Sequence, residues 1–184
     1  MVHATPYPWP YDGSLTPAKT ALVLVAAQQA FAGLDPTGRV RGACVQLRQA
    51  TERAGVGLVL VRLGRTPATP ARIASIPVVG SSGWASLAGC EPDSNTLVGF
   101  YGTGLDAGLW ARGISHLLLA GFGTETAVHS TLRSANDRGF ECLTVDDACA
   151  DVEPDVHGNS MSSIMMSGGI FGCYAPLAVL LPEL

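Results

Sequence analysis

The chain reads Ser115-His-Leu-Leu-Leu-Ala-Gly-Phe-Gly-Thr-Glu-Thr-Ala-Val-His-Ser-Thr131 in its second half. The apolar run that opens this stretch is typical of a strand buried on both faces, as in a parallel sheet. Glycines and a threonine follow, and a helical pattern then covers residues 126–138, with Gly139 as its stop signal. A buried strand that turns directly into a helix forms half of a βαβ unit, so the stretch predicts an α/β fold.

The same alternation of apolar strands and amphipathic helices continues on both sides of this stretch. The predicted strands lie at 20–26, 57–62, 115–120, 140–145 and 170–173, and the predicted helices lie at 38–54, around 105–112, at 126–138 and at 154–167. Residues 64–98 are rich in Gly, Pro, Ser and Ala and predict loops with at most one weak strand near 96–99. Right-handed crossovers between parallel strands predict a three-layer α/β/α, doubly wound fold with a mainly parallel sheet.

Length and composition favour a single domain over residues 1–184, with residues 1–19 as an extended N-terminal arm. Hydrophobic residues make up 47% of the chain and charged residues 14%, and the net charge is −4 without any basic cluster, so no nucleic acid partner is expected. The longest apolar stretches are too short to span a bilayer, and the N-terminus lacks the pattern of a secretory signal, so no membrane partner is expected. Five cysteines without a C-x-x-C pair favour buried thiols in a reducing cytoplasm.

The carboxyl ends of the strands are where doubly wound sheets bind their ligands. The corresponding segments here are 26–31, 62–65 and 121–127. The turn in the last of these leads into a helix N-terminus, and the backbone N–H groups of such a turn can bind a carbonyl or anionic oxygen. The sequence therefore predicts a small-molecule site at this edge of the sheet.

Three short motifs occur in order along the chain. The first strand ends in Ala26-Ala-Gln28 with Phe31 nearby, Phe100-Tyr-Gly-Thr-Gly-Leu105 comes later, and Gly121–Thr131 forms the strand-to-helix turn. These motifs resemble the Asp-x-Gln, Phe-x-x-Thr-x-Leu and Gly-x-x-Thr-x-x-Cys-Val-x-x-Thr motifs of the isochorismatase-like cysteine hydrolases. The resemblance implies a sheet of about six strands and a homo-oligomer.

Finer matches resemble the branch of that family that hydrolyses biuret-type and ureidoacrylate-type amides. They are Pro6–Gly13, Gly83-Trp84, Ala135–Leu143 and Gly168–Gly172. Each match is short, and their order along one chain is what carries the resemblance.

The resemblance implies a catalytic triad whose members this chain lacks. In the family a Cys thiolate attacks the substrate carbonyl, an Asp takes the thiol proton, and a Lys polarises the pair. The corresponding residues here are Ala127 for the Cys and Ala26 for the Asp, and Ser94 is nearest to the Lys position. Methyl groups can neither titrate nor attack, so hydrolysis by this route is not expected. The vinyl-ether route of isochorismatases also needs the first-strand carboxylate.

Other groups implied by the family are absent as well. Nicotinamidase-like relatives bind a metal through Asp-x-His after the second strand, whereas this chain has Arg62-Leu-Gly-Arg-Thr66 there, so we expect no metal. No cofactor is implied. The expected ligand-binding residues surround the positions of the lost triad. They are Gln28, Phe31, Trp84, Phe100, Tyr101, Thr124, Glu125, Thr126 and Ala127.

Several titratable side chains are candidates for relocated chemistry. Glu125 and His129 stand at i, i+4 near the helix start, where a role on the helix surface or in a subunit contact is favoured. Cys90 is interpreted as an inert thiol, Asp146-Asp147 as a cap of the next helix, and His157 as structural.

Three functional hypotheses follow. In the first, the fold is a repurposed, non-hydrolytic small-molecule enzyme, which steers a cyclisation or rearrangement in specialised metabolism by shape and desolvation. In the second, it is a catalytically inactive pseudoenzyme that acts as a binding or regulatory subunit. In the third, it is an amide hydrolase with relocated catalytic groups. The first is favoured because the motifs around Gly121–Thr131 indicate a maintained site.

Overall fold

The computed structural model describes residues 1–13, 15–64 and 97–184, together with the backbone of 93–94. Six parallel strands form one sheet in the order β3-β2-β1-β4-β5-β6. The strands are β1 (Thr20–Val25), β2 (Gly57–Leu63), β3 (Asp93–Ser94), β4 (His116–Phe122), β5 (Glu141–Ala150) and β6 (Cys173–Ala175). Since β3 has two residues, five longer strands carry the sheet. The predicted α/β fold with a mainly parallel sheet is confirmed.

The helices connect the strands across both faces of the sheet. They are α1 (Arg39–Ala54), α2 (Leu105–Ala111), α3 (His129–Asn136), α4 (Pro154–Gly169) and α5 (Leu177–Leu180), with short 3-10 turns at Pro17–Lys19, Gln29–Leu34 and Leu181–Glu183 and a π-helical turn at Thr124–Val128. Right-handed crossovers place α1 on one face and the neighbours α3 and α4 on the other. Among the described residues, no helix is both long and apolar enough to cross a membrane.

Two predicted elements are displaced in the structure. The weak strand expected near 96–99 is observed at Asp93–Ser94, beside the end of β2. The last strand lies at Cys173–Ala175 rather than 170–173, because residues 167–169 all adopt left-handed backbone conformations and the chain becomes extended only after them. Hydrophobic periodicity locates an apolar run but does not show where the backbone turns.

The strand order has a switch point between β1 and β4. The chain builds outward from β1 through β2 to β3, then returns to β4 and builds outward through β5 to β6. The crevice that such a reversal leaves lies beyond the carboxyl ends of the two central strands. Here those ends are Val25 and Phe122. The topology therefore predicts that the residues directly after them border the crevice.

Strands β1 and β4 approach each other closely at this point. Val25 is paired with Gly121, which has a φ of +137°. A Cβ atom at residue 121 would overlap the carbonyl oxygen of Val25. Only glycine fits both the space and the backbone conformation.

The N-terminal arm packs against the outer edge of the sheet. Val2 and Trp9 pair with each other and are fully buried, and Thr5 forms an antiparallel bridge with Tyr174 of β6. The ring of Trp9 meets His116 edge-on, with 5.7 Å between the centroids. The arm therefore covers an edge strand that would otherwise expose unpaired backbone groups.

Replacing Gly121 by Ala should strongly destabilise the protein. The added methyl would force β1 and β4 apart and would occupy an unfavourable backbone conformation, so we expect a loss of about 3 kcal/mol in the free energy of unfolding. Gly42→Ala is the matched control, because Gly42 is exposed within α1 and an added Cβ meets nothing within 4 Å. That variant should gain about 0.5–1 kcal/mol. If urea denaturation gave the same change in the free energy of unfolding for both variants, the close approach of β1 and β4 at residue 121 would be contradicted.

Candidate functional site

The edge of the sheet at the switch point begins with Ala26. Its methyl group is fully buried, and its N–H donates to the carbonyl of Val61 at 2.9 Å. Its φ is +56°, in the left-handed region that non-glycine residues seldom occupy. Asp and Asn tolerate this conformation better than Ala, because their side chains can form local hydrogen bonds.

Gln28 lies just beyond this turn, fully buried. Its Nε2 donates to the carbonyl of Leu63 at 3.0 Å, and its Oε1 accepts from the N–H of Leu63 at 2.7 Å. The side-chain amide thus continues the pairing of β1 with β2 where the main chain of β1 has turned away. These two bonds use the amide oxygen and one N–H of Gln28. They hold the backbone of Leu63, a role that the prediction of a ligand-binding amide did not include.

The strand-to-helix turn contains a π-helical segment, Thr124–Val128, in place of the first turn of the predicted helix. Segments of this kind are rare and frequently occur at functional sites. Ala127 lies inside it and is 2% exposed. The N–H groups of Ala127 and Val128 both donate to the carbonyl of Gly123, at 2.7 and 3.0 Å.

The remaining N–H groups of the turn define what it can bind. The N–H of Glu125 donates to a carboxylate oxygen of Asp151 at 2.6 Å. Within the described part of the chain, the N–H groups of Thr124 and Thr126 have no hydrogen-bond partner. The set of donors available for a ligand oxygen is therefore smaller than the predicted turn at 121–126 implied.

A chain of hydrogen bonds anchors the turn to the neighbouring elements. Oγ1 of Thr124 lies 3.0 Å from Nδ1 of His157 on α4, and Nε2 of His157 lies 2.8 Å from Oδ1 of Asp146 on β5. Thr124 is fully buried, whereas the His157 and Asp146 side chains are 24% and 35% exposed. Thr124 and His157 are 33 positions apart in sequence, and His157 and Asp146 are 11 positions apart, so these three residues meet only through the βαβ topology.

Asp146 and Asp147, in the middle of β5, do not have the role that was predicted from the sequence. Both lie within the strand, and neither caps α4, whose N-terminal residue Glu153 provides no side-chain cap. Asp146 instead bonds to His157, and Asp147 accepts the N–H of Leu177 at the start of α5, at 2.7 Å. The predicted cap of α4 is therefore wrong, and the two aspartates contact two different helices.

The aromatic residues expected to line a pocket have different environments. Phe100 is 3% exposed and stacks on Phe140 in the core, with 5.8 Å between the ring centroids. Tyr101 is 66% exposed, and Phe31 is half-buried against the core. Trp84 and Cys90 lie outside the described residues. The backbone of Ser94 pairs with Leu63, the residue held by Gln28, so this position lies at the same edge of the sheet.

The described cysteines have no features of a catalytic thiolate. Cys44, Cys142, Cys149 and Cys173 are buried and unbridged. Burial raises the pKa of the Cys44 thiol to about 12, and it raises the pKa of the other three thiols above their ordinary value. Within the described residues, no group of three or more His, Cys, Asp and Glu side chains is placed to hold a metal ion.

A polar groove of about 700 Å³ lies between α3 and α4. Glu125 and His129, the i, i+4 pair noted in the sequence, lie along one wall. Nε of Arg133 donates to Nε2 of His129 at 3.3 Å, so the proton of the neutral ring is on Nδ1. Burial, and then the adjacent Arg133 charge, lowers the pKa of His129 below its usual 6.5.

Stability should fall in mild acid because of His129. Below pH 6.5 this residue takes up a proton in the unfolded chain before it does so in the folded protein, so the unfolded state gains protons and becomes favoured. The melting temperature of the wild type should therefore drop as the pH falls below 6.5, and His129→Gln should reduce that drop. His3→Gln is the control, since His3 is exposed in the N-terminal arm. If the melting temperatures of the wild type and of His129→Gln fell equally as the pH is lowered, the acid sensitivity would not come from His129.

Comparisons with known proteins agree with this fold. Residues 20–173 match the isochorismatase domain family. A ureidoacrylate amidohydrolase of Methylobacterium radiotolerans is 27% identical, over 82% of this chain and 75% of its own length. An uncharacterised isochorismatase family protein of Escherichia coli O157:H7, YecD, is 40% identical over 65 residues, which is 35% of each chain.

Solved structures show the same architecture. A cysteine hydrolase from Pseudomonas syringae pv. phaseolicola superposes with a TM-score of 0.78 at 21% identity, covering 92% of this chain and 93% of the other. The nicotinamidase PncA from Bacillus subtilis superposes with a TM-score of 0.74 at 23% identity, covering 85% and 99%. At these identities the superpositions establish the fold. The domain match, which covers most of the chain, shows that the chain belongs to the isochorismatase family.

Proposed function

We propose that this protein is a repurposed member of its family, which binds a small molecule at the switch point and promotes a non-hydrolytic reaction such as a cyclisation or rearrangement. One observation carries the proposal: Ala26 and Ala127 place buried methyl groups at the edge where the family resemblance locates the Asp and Cys of the hydrolytic triad. The surrounding framework is intact. A carbonyl-directed nucleophilic mechanism has no nucleophile or base at these two positions.

The backbone around Ala26 supports the view that the site is retained rather than decayed. Ala26 keeps a left-handed conformation, which suits an Asp and is costly for an Ala. The bonds between Gln28 and Leu63 hold the segment that follows it. An Ala in place of an Asp at residue 26, on the same backbone, would keep the shape of this edge of the sheet and make it less polar. An apolar intermediate would be bound there by shape and desolvation.

The turn at residues 124–128 adds a donor to this edge. The N–H groups of Thr124 and Thr126 have no partner in the described structure, and the π-helical backbone around them does not depend on the identity of residue 127. A carbonyl or enolate oxygen of the ligand would accept a hydrogen bond here. Such a donor stabilises negative charge in cyclisations and rearrangements as well as in hydrolysis.

Relocated hydrolysis has one supporting observation, the ordered contacts of Thr124, His157 and Asp146. A hydroxyl, an imidazole and a carboxylate in series can in principle activate a nucleophile. Thr124, however, is fully buried, and both ring nitrogens of His157 are engaged in holding it and Asp146. We therefore assign this chain of bonds to positioning the turn. A pseudoenzyme that acts as a binding or regulatory subunit remains the principal alternative.

Substitutions of Ala127 test the proposed function. Ala127→Leu would place a larger apolar side chain beside the turn without adding charge, and Ala127→Ser, which is close in size, is the matched control. In the native host, the Leu variant should give the same metabolite profile as a gene deletion in untargeted mass spectrometry, whereas the Ser variant should give the wild-type profile. Melting temperatures and immunoblots of both variants establish that each is folded and present.

The alternatives make different predictions for the same strains. A folded Ala127→Leu protein that fully restores the wild-type profile would exclude a ligand at this edge and favour the pseudoenzyme. The purified wild type should release no ammonia from nicotinamide, biuret or ureidoacrylate. Release that is lost in His157→Gln, in protein of unchanged melting temperature, would instead show relocated hydrolysis.

A further inference from the structure

The groove between α3 and α4 is separate from the edge that contains Ala26 and Ala127. One wall consists of Glu125, His129, Ser130 and Arg133, and the other of Val156, Asn159, Ser160 and Ser163. The residues on each wall recur at helical spacing, so both walls are single helix faces. The volume of about 700 Å³ falls within the range of small-molecule pockets.

Arg133 is fixed in position on one wall. Its Cζ lies 4.0 Å from the centre of the Phe171 ring, and its Nε donates to His129. The ring of His129 in turn meets Phe171 edge-on, with 6.2 Å between the centroids. A guanidinium that is stacked on an aromatic ring and bonded through Nε has lost most of its conformational freedom before any ligand arrives.

The charge of Arg133 has no acidic partner among the described residues. Its Nε bond is to a neutral ring, and the terminal amino groups of the guanidinium make no hydrogen bond within the described structure. By contrast, Arg138, just beyond the end of the same helix, pairs with Asp106 at 3.6 Å and bonds to Ser134. Arg133 therefore presents two adjacent amino groups in the geometry that binds both oxygens of one carboxylate.

The rest of the groove is suited to a small, mostly uncharged body. Ser130, Ser163 and Asn159 supply hydroxyl and amide groups near Arg133, whereas the hydroxyl of Ser160 is occupied by the carbonyl of Val156. Glu125 lies eight residues from Arg133, about 12 Å along the helix axis. The groove thus offers one positive charge, that of Arg133, with the carboxylate of Glu125 at its far end. This arrangement favours binding of a monocarboxylate over a phosphate dianion.

We propose that the groove between α3 and α4 is a binding site for a small-molecule carboxylate, with Arg133 as the residue that binds the carboxylate group. The hydroxyls of Ser130 and Ser163 and the amide of Asn159 complete its hydrogen bonding. This site is independent of the proposed function at the switch point. It is suited to the acidic end of a metabolite or to an acidic effector.

Calorimetric titration of the full chain with butyrate tests the proposal, with butyramide as an uncharged ligand of the same shape. Butyrate should bind and butyramide should not. Arg133→Gln should weaken butyrate binding at least tenfold, and Arg133→Lys should weaken it less, because the charge remains and the paired geometry is lost. Arg138→Gln is the matched control and should bind as the wild type does. Asn159→Ala tests the opposite wall and should weaken binding severalfold.

Several outcomes would overturn the proposal. One is equal binding of butyrate and butyramide, and another is unchanged binding in Arg133→Gln. Tighter binding of inorganic phosphate than of butyrate at the same residue would refute the choice of a carboxylate. A dimer that Asn159→Ala dissociates would identify the groove as a subunit contact. Because Ala127→Leu should leave butyrate binding intact, failure of this proposal and failure of the proposed function can be told apart.

Discussion

Strands β1 and β4 pack so closely at their carboxyl ends that residue 121 cannot carry a side chain. The carbonyl of Val25 occupies the space where a Cβ would lie, and the chain must leave both strands in unusual backbone conformations. Ala26 turns into the left-handed region, and Gly123 does the same after β4. The two turns that flank the switch point follow from this contact, and the rest of the site is arranged around them.

Polar side chains hold these turns in place. Gln28 replaces missing backbone pairing with Leu63, and Thr124 bonds to His157. Asp151 accepts the N–H of Glu125. Buried polar groups of this kind are costly to leave unpaired, so each one specifies a single arrangement of the segment it contacts. The edge remains ordered although the residues at its centre are alanines. The residues that order the edge are therefore different from the alanines at its centre.

The sequence was sufficient to predict the main elements of the fold, and the site at the carboxyl edge of the sheet stays a prediction. Apolar runs such as that of β4 are recognisable because both of their faces are buried, and the order of strands and helices then restricts the topology. The contacts of Gln28 and of Thr124 could not be predicted. Both depend on which residues the fold brings together, and an amide or a hydroxyl in a motif does not show whether its partner is a ligand or the main chain. The π-helical turn was also missed, because its apolar positions fit an ordinary helix as well.

The segment from Thr124 to Arg133 separates two regions of opposite character. Ala127 is buried, whereas Glu125, His129 and Arg133 line the groove toward α4. The same helix start thus contributes a backbone donor to one side and a fixed guanidinium to the other. His157 belongs to α4, which forms the second wall of the groove, and its bond to Thr124 joins that wall to the turn. The polar groove and the apolar edge thus share the turn at residues 124–128, where the side chain of Glu125 lines the groove and Ala127 is buried.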